Sequence, residues 1–85
     1  MILERGRVVF SKAGRDQGRF LAVLSTDGDQ VLVADGKERP LERPKRKNSR
    51  HLQATNTLLP DSSLSTNREI RKALRAVDEG AGRHT

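Results

Sequence analysis

The sequence predicts a mainly β domain, five short strands rolled into a small barrel, followed by one C-terminal α-helix. Three observations carry this. The apolar runs Phe20–Leu24 and Val31–Ala34 are strand-length. Asp-Gly pairs at 27–28 and 35–36 follow those runs and signal tight turns. After Pro60 the apolar spacing changes: Ile70, Ala73, Leu74 and Val77 recur as i, i+3, i+4 and i+7, the stripe of an amphipathic helix. A chain of 85 residues holds one small domain.

Taken in order, Arg7–Ser11 follows a glycine, is rich in β-branched and aromatic residues, and predicts the first strand. Residues 12–19 are polar, with glycines at 14 and 18, and predict a loop. Phe20–Ser25 and Gln30–Ala34 form the second and third strands, a hairpin turning at Thr26-Asp27-Gly28-Asp29. Arg39–Glu42 is expected as a short fourth strand, which Pro40 confines to an edge or an irregular stretch. Pro44 opens a basic loop, and the alternation of His51–Leu58 predicts a fifth strand. Thr66 and Glu69 fit a capping box, and Gly80 fits a helix stop, so the helix is expected over Asn67–Glu79. A helix this short needs its stripe docked on the barrel or on a partner. Five short strands with tight turns suggest a barrel of the SH3-like kind, whose closure limits exposed edges. The expected organisation is a barrel over 1–59, a linker and helix over 60–80, and a disordered tail over 81–85.

Composition narrows the function. There is no cysteine, which removes disulfides, thiolate catalysis and cysteine-based metal sites, and leans toward the cytoplasm. Glu4 stands where a signal peptide would carry basic residues, and no apolar run could span a bilayer. The net charge of +6 favours an anionic partner. Residues 1–35 balance their charges. Residues 36–59 carry Lys37, Arg39, Arg43, Lys45, Arg46, Lys47 and Arg50 against only Glu38 and Glu42. Nearly the whole excess therefore lies in that one segment. No nucleophile–His–acid order with supporting context, phosphate-loop lysine motif or apolar carboxylate pair points to an enzyme, and no cofactor or metal is expected.

Gly6-Arg7-Val8-Val9-Phe10-Ser11-Lys12-Ala13-Gly14-Arg15-Asp16-Gln17-Gly18-Arg19 resembles the first half of a KOW motif, a strand followed by a Gly-Lys/Arg-Asp-x-Gly-Lys/Arg loop. Gln30–Gly36 resembles its closing strand and turn. The order of Val33-Ala34-Asp35-Gly36, the basic stretch to Pro44-Lys45, His51-Leu52 and the helix is similar to large-subunit ribosomal proteins of the L14e type. It is most similar to the small bacterial KOW-domain RNA-binding proteins related to that family, which share Ala13–Asp16, Val31–Gly36 and Pro44–Asn48. The resemblance implies an SH3-like barrel that binds ribosomal RNA or the ribosome. The long ribosomal members continue beyond the helix, so a smaller accessory protein of translation is expected here.

Two stretches supply candidate RNA contacts. In loop 12–19, Gly14 and Gly18 permit positive φ and close backbone approach, so Lys12, Arg15 and Arg19 can meet phosphates. The bland alternative is a solvated hairpin loop whose glycines serve geometry alone. In 37–50, Lys37, Arg39, Arg43, Lys45, Arg46, Lys47 and Arg50 offer charge with few interleaved acids, and Asn48 either reads a base edge or caps a turn. Asp16 is expected to form a turn or to orient Arg15 or Arg19, not to catalyse. His51 is expected partly buried at a strand start, with base stacking as its alternative; His84 falls in the tail. Phe10 and Phe20 are the only aromatics and are assigned to the core, which favours phosphate and shape contacts to folded RNA over stacking. The alternative function is an SH3-like module docking a protein partner of the translation or transcription machinery, in which the Ile70–Val77 stripe could take part. A membrane partner is disfavoured by the small apolar face of that helix, which lacks Trp and Phe.

Overall fold

The computed structural model describes residues 3–82, the last two by backbone alone. The strands are β1 (Arg7–Ser11), β2 (Phe20–Asp27), β3 (Gln30–Ala34), β4 (Lys45–Asn48) and β5 (Leu52–Leu58). Short 3-10 turns occupy Ser49–His51 and Asp61–Leu64, and one helix, α1, spans Asn67–Gly82. All pairings are antiparallel, in the order β4-β3-β2-β1-β5.

That order forces a curved sheet. β4 and β5 lie at opposite ends of the sheet yet are joined only by Ser49–His51. The four chain steps from Asn48 to Leu52 reach at most about 14 Å. Four strand spacings on a flat sheet would be about 19 Å. The register shifts between Arg7 and Val9, where β5 carries the extra residues, and between Val23 and Ser25, where β2 carries one, are irregularities of the kind that bend strands. The sheet nevertheless stays open: β4 pairs with β3 and β5 with β1, and the ladder does not close into a barrel.

Curvature and the helix together explain why residues on both faces of the sheet are buried. Val9, Leu21, Val23, Val31 and Val33 share one face with Leu52 and are sealed from solvent with no helix packed on them. The sheet curls around these residues. On the opposite face Val8, Ala22 and Ala34 form a row across three strands, and Ile70 and Leu74 of α1 pack there with Leu64. The two alanines leave room for the helix. Burying Ile70 fully contributes about 1.5–3 kcal/mol.

Residues around Gly36 hold the helix down. Gly36 has φ +79°, and a Cβ there would meet the Asn67 carbonyl oxygen. Asn67 Oδ1 accepts the Leu41 N–H at 2.8 Å, and its Nδ2 donates to Glu42 at 2.7 Å. Arg71 Nη1 donates to the Gly36 carbonyl at 2.6 Å. Thr66 Oγ1 accepts the Glu69 N–H at 3.1 Å, the forward half of the expected capping box.

Four expectations are corrected. Arg39–Glu42 is not a strand. Asp35 Oδ1 takes the N–H groups of Lys37 and Arg39, Pro40 has none to give, and a turn closes from Arg43 N–H to the Pro40 carbonyl. The fourth strand is instead Lys45–Asn48, expected as loop, which pairs its backbone with Gln30–Val33. Strand β2 runs on to Asp27, so the hairpin turn tightens to Gly28-Asp29. The helix passes through Gly80, which does not adopt the positive φ of a helix-ending glycine, and continues to Gly82. Ala81 and Gly82, expected as tail, are therefore helical, while His84 and the rest of the tail lie outside the described residues.

Candidate nucleic-acid interface

Loop 12–19 connects β1 to β2 and is closed at its base by reciprocal backbone bonds. Ser11 N–H donates to the Arg19 carbonyl and Gly18 N–H to the Ser11 carbonyl, both at 2.9 Å. Within it, Gln17 N–H reaches the Gly14 carbonyl at 3.2 Å and Arg19 N–H the Asp16 carbonyl at 3.0 Å. Gly14 and Gly18 have φ of +81° and +87°, a backbone that side-chain-bearing residues rarely adopt. The loop is thus built as successive turns rather than as slack chain.

At its centre sits Asp16, 1% exposed. Arg39 Nε and Nη2 face its two carboxylate oxygens at 3.4 Å each, and Lys47 Nζ lies 3.6 Å from Oδ2. Lys47 Nζ also donates to the Ala13 carbonyl at 3.3 Å. Asp16 therefore does not orient Arg15 or Arg19, as the sequence suggested. It ties loop 12–19 to Arg39 in the β3–β4 connection and to β4 itself. Two cations against one carboxylate also leave the cluster net positive.

The candidate cations divide into those free for a partner and those already engaged. Lys12, Arg15, Lys37, Arg43, Lys45, Arg46 and Arg50 are exposed and form no ion pair among the described residues. Arg19 is exposed but pairs with Glu38 at 2.6 Å. Arg39 is partly covered against Asp16. Lys47 is 8% exposed, because its register opposite Val31 turns it to the enclosed face of the sheet. Asn48 Oδ1 accepts the Arg50 N–H at 3.1 Å, so its oxygen caps the 3-10 turn. His51 is exposed, not partly buried, and its carbonyl takes the Lys12 N–H at 2.8 Å, which seats loop 12–19 beside the 3-10 turn.

Loop 12–19, the 35–39 turn, Lys47 and the Ser49–His51 turn are thus joined through the Asp16 ion pairs and the Lys12–His51 backbone bond. Arg46 lies away from this group, in a shallow cleft beside the β2–β3 hairpin with Asp27 and Leu32. Among the described residues no ion pair ties Arg43 to loop 12–19. Sequence reasoning found the loop but missed that Arg39 and Lys47 are its internal counter-charges; an acid set between glycines in a basic chain was the available signal. It also missed Asn67 and Arg71, whose bonds hold the helix against the 35–42 segment.

Among the described residues no three His, Asp or Glu side chains gather as metal ligands, and no helix is long and apolar enough to cross a membrane. The Ile70–Leu74 stripe is covered by the sheet. The chain matches no family model and no curated protein sequence.

Proposed function

We propose that the protein is a non-enzymatic RNA-binding module of the KOW type, an SH3-like barrel in overall plan, acting on structured RNA of the ribosomal class in the cytoplasm. The observation that carries this reading is loop 12–19. Its shape is set by its own turns and by a buried carboxylate, and it holds Lys12 and Arg15 exposed and, among the described residues, without an ion pair, while a backbone bond from Lys12 to His51 seats it beside the turn that carries Arg50. Cations held in place around a turn suit phosphate oxygens, because little side-chain and backbone freedom is lost on binding. The KOW-like residues of this loop, the strand order and the curl of the sheet all support the same reading. Docking a protein partner through the helix stripe is less favoured, since the sheet already occupies Ile70 and Leu74.

The test is a titration of a ribosomal RNA stem-loop at several salt concentrations. Each neutralised phosphate should contribute a slope of about −0.7 to −0.9 in log K against log salt. Several such contacts are expected from the exposed cations. A binding constant that barely responds to salt would overturn the phosphate-based interface.

A further inference from the structure

A cleft of about 330 Å³ opens where the end of loop 12–19, the β3–β4 connection and helix α1 converge. It exists because the close approach at Gly36 sets the helix beside the loop without filling the gap. Phe20 and Leu74 supply its apolar wall. The Phe20 ring is held edge-on against Phe10, with centroids 5.2 Å apart and planes inclined by 67°. Lys37 and Arg75 also line it and form no ion pair among the described residues. Asp35 and Asp78 add two carboxylates, and Asp35 is fixed by the two backbone N–H groups that its Oδ1 accepts.

We propose that this cleft takes one unstacked nucleotide of the bound RNA, with the base against Phe20 and Leu74 and its phosphate met by Lys37 and Arg75. The proposal rests on the RNA-binding reading and adds a specific pocket to it. The volume lies at the low end of the roughly 300–1,000 Å³ typical of small-ligand clefts, which suits one base and its sugar and excludes a duplex. An aromatic wall is the usual platform for a splayed-out base. Carboxylates accept from amino groups on base edges, so bases with an exocyclic amino group, guanine above all, are favoured over uracil. The helix thereby becomes part of the interface, and Phe20 has a binding role besides its packing role.

The experiment uses the full chain, isotope-labelled, at low salt. GMP, UMP and inorganic phosphate are titrated while the Gly18 amide and the Leu74 methyl signals are followed. A ribosomal RNA stem-loop is titrated onto wild type and onto Lys37→Glu and Arg75→Glu, both surface changes that should leave the spectrum dispersed. GMP is expected to shift both signals more than UMP, and phosphate to leave Leu74 unmoved. Each variant is expected to lose RNA affinity by about tenfold. If phosphate alone reproduces the GMP shifts, the cleft is an oxyanion site and the nucleotide proposal falls. If RNA binds the variants as it binds wild type and Leu74 does not move, the cleft is overturned while the RNA reading stands. If GMP binds here but RNA does not bind the protein, the RNA reading is overturned and the cleft is a site for free nucleotides.

Discussion

Loop 12–19 and strand β4 each carry three cations and dispose them in opposite ways. In the loop, Lys12, Arg15 and Arg19 all reach the surface, and the buried charge is an acid, Asp16. In β4, Lys45 and Arg46 reach the surface, Lys45 at the start of the strand although alternation puts it on the same face as Lys47, and Lys47 is buried against that same acid. Three consecutive basic residues therefore hold two different jobs. Local charge density in a sequence measures attraction to an anionic partner only after the residues that balance internal charges have been set aside.

The largest effect should come from reversing the inward member of β4. Lys47→Glu removes a partner from Asp16 and places a second carboxylate beside it. Breaking a buried pair costs about 3–5 kcal/mol before the added repulsion, a large part of the stability of a small domain. Thermal unfolding followed by circular dichroism should show no cooperative transition near the wild-type temperature. A Lys47→Glu protein that melts within a few degrees of wild type would collapse the distinction between the inward and outward cations.

Next in size is the acid that joins the two regions. Asp16→Asn keeps the size and loses the charge, and should cost about 2 kcal/mol through weakened bonds to Arg39 and Lys47. Its effect on RNA separates two ideas by sign. If the loop acts by its total charge, removing a negative group strengthens binding. If it acts by shape, binding weakens. We expect weaker binding, measured at one fixed salt concentration on protein shown to be folded.

A smaller effect is expected from the outward members of β4. Lys45→Glu with Arg46→Glu should leave the melting temperature within a few degrees, lower RNA affinity by roughly tenfold, and flatten the salt dependence by about one unit per lost phosphate contact. An unchanged slope would place the RNA on loop 12–19 alone.

Gly18→Val against Arg19→Ala is the finest of these tests. A Cβ at Gly18 would meet no neighbour within 4 Å, so the main penalty on valine is the positive φ, about 1–2 kcal/mol. That penalty should shift the loop and weaken RNA binding several-fold. Arg19→Ala removes a cation already paired with Glu38 and should cost about twofold. Equal affinities of the two variants would show a loop that adapts rather than one already shaped.

Much of the fold was legible because its determinants are local. β1 and β3 fall on their expected residues, and α1 begins at Asn67 as its cap predicts. β4 was illegible because Lys45–Asn48 has no apolar alternation of its own; it is a strand because β3 offers a backbone edge to pair with. The same limit hid the site's centre. Arg39 and Lys47 lie 23 and 31 positions after Asp16, and only the turns of 35–43 and the curl of the sheet bring them to it. The loop's cations and glycines could be read from spacing, whereas the division into free and engaged cations could not.

The position of β4 at one end of the sheet order has a practical consequence for any such experiment. Its outer backbone groups are available to pair with another chain, and charged side chains on such a strand are what discourage that pairing. Lys45 and Arg46 thus put charge on that edge strand. Replacing them with alanine would weaken RNA binding and invite self-association together, and a loss of apparent affinity would then report on both. Replacing them with glutamate removes the attraction to phosphate while leaving the strand charged, so light scattering on the Lys45→Glu, Arg46→Glu protein should still show a monodisperse sample.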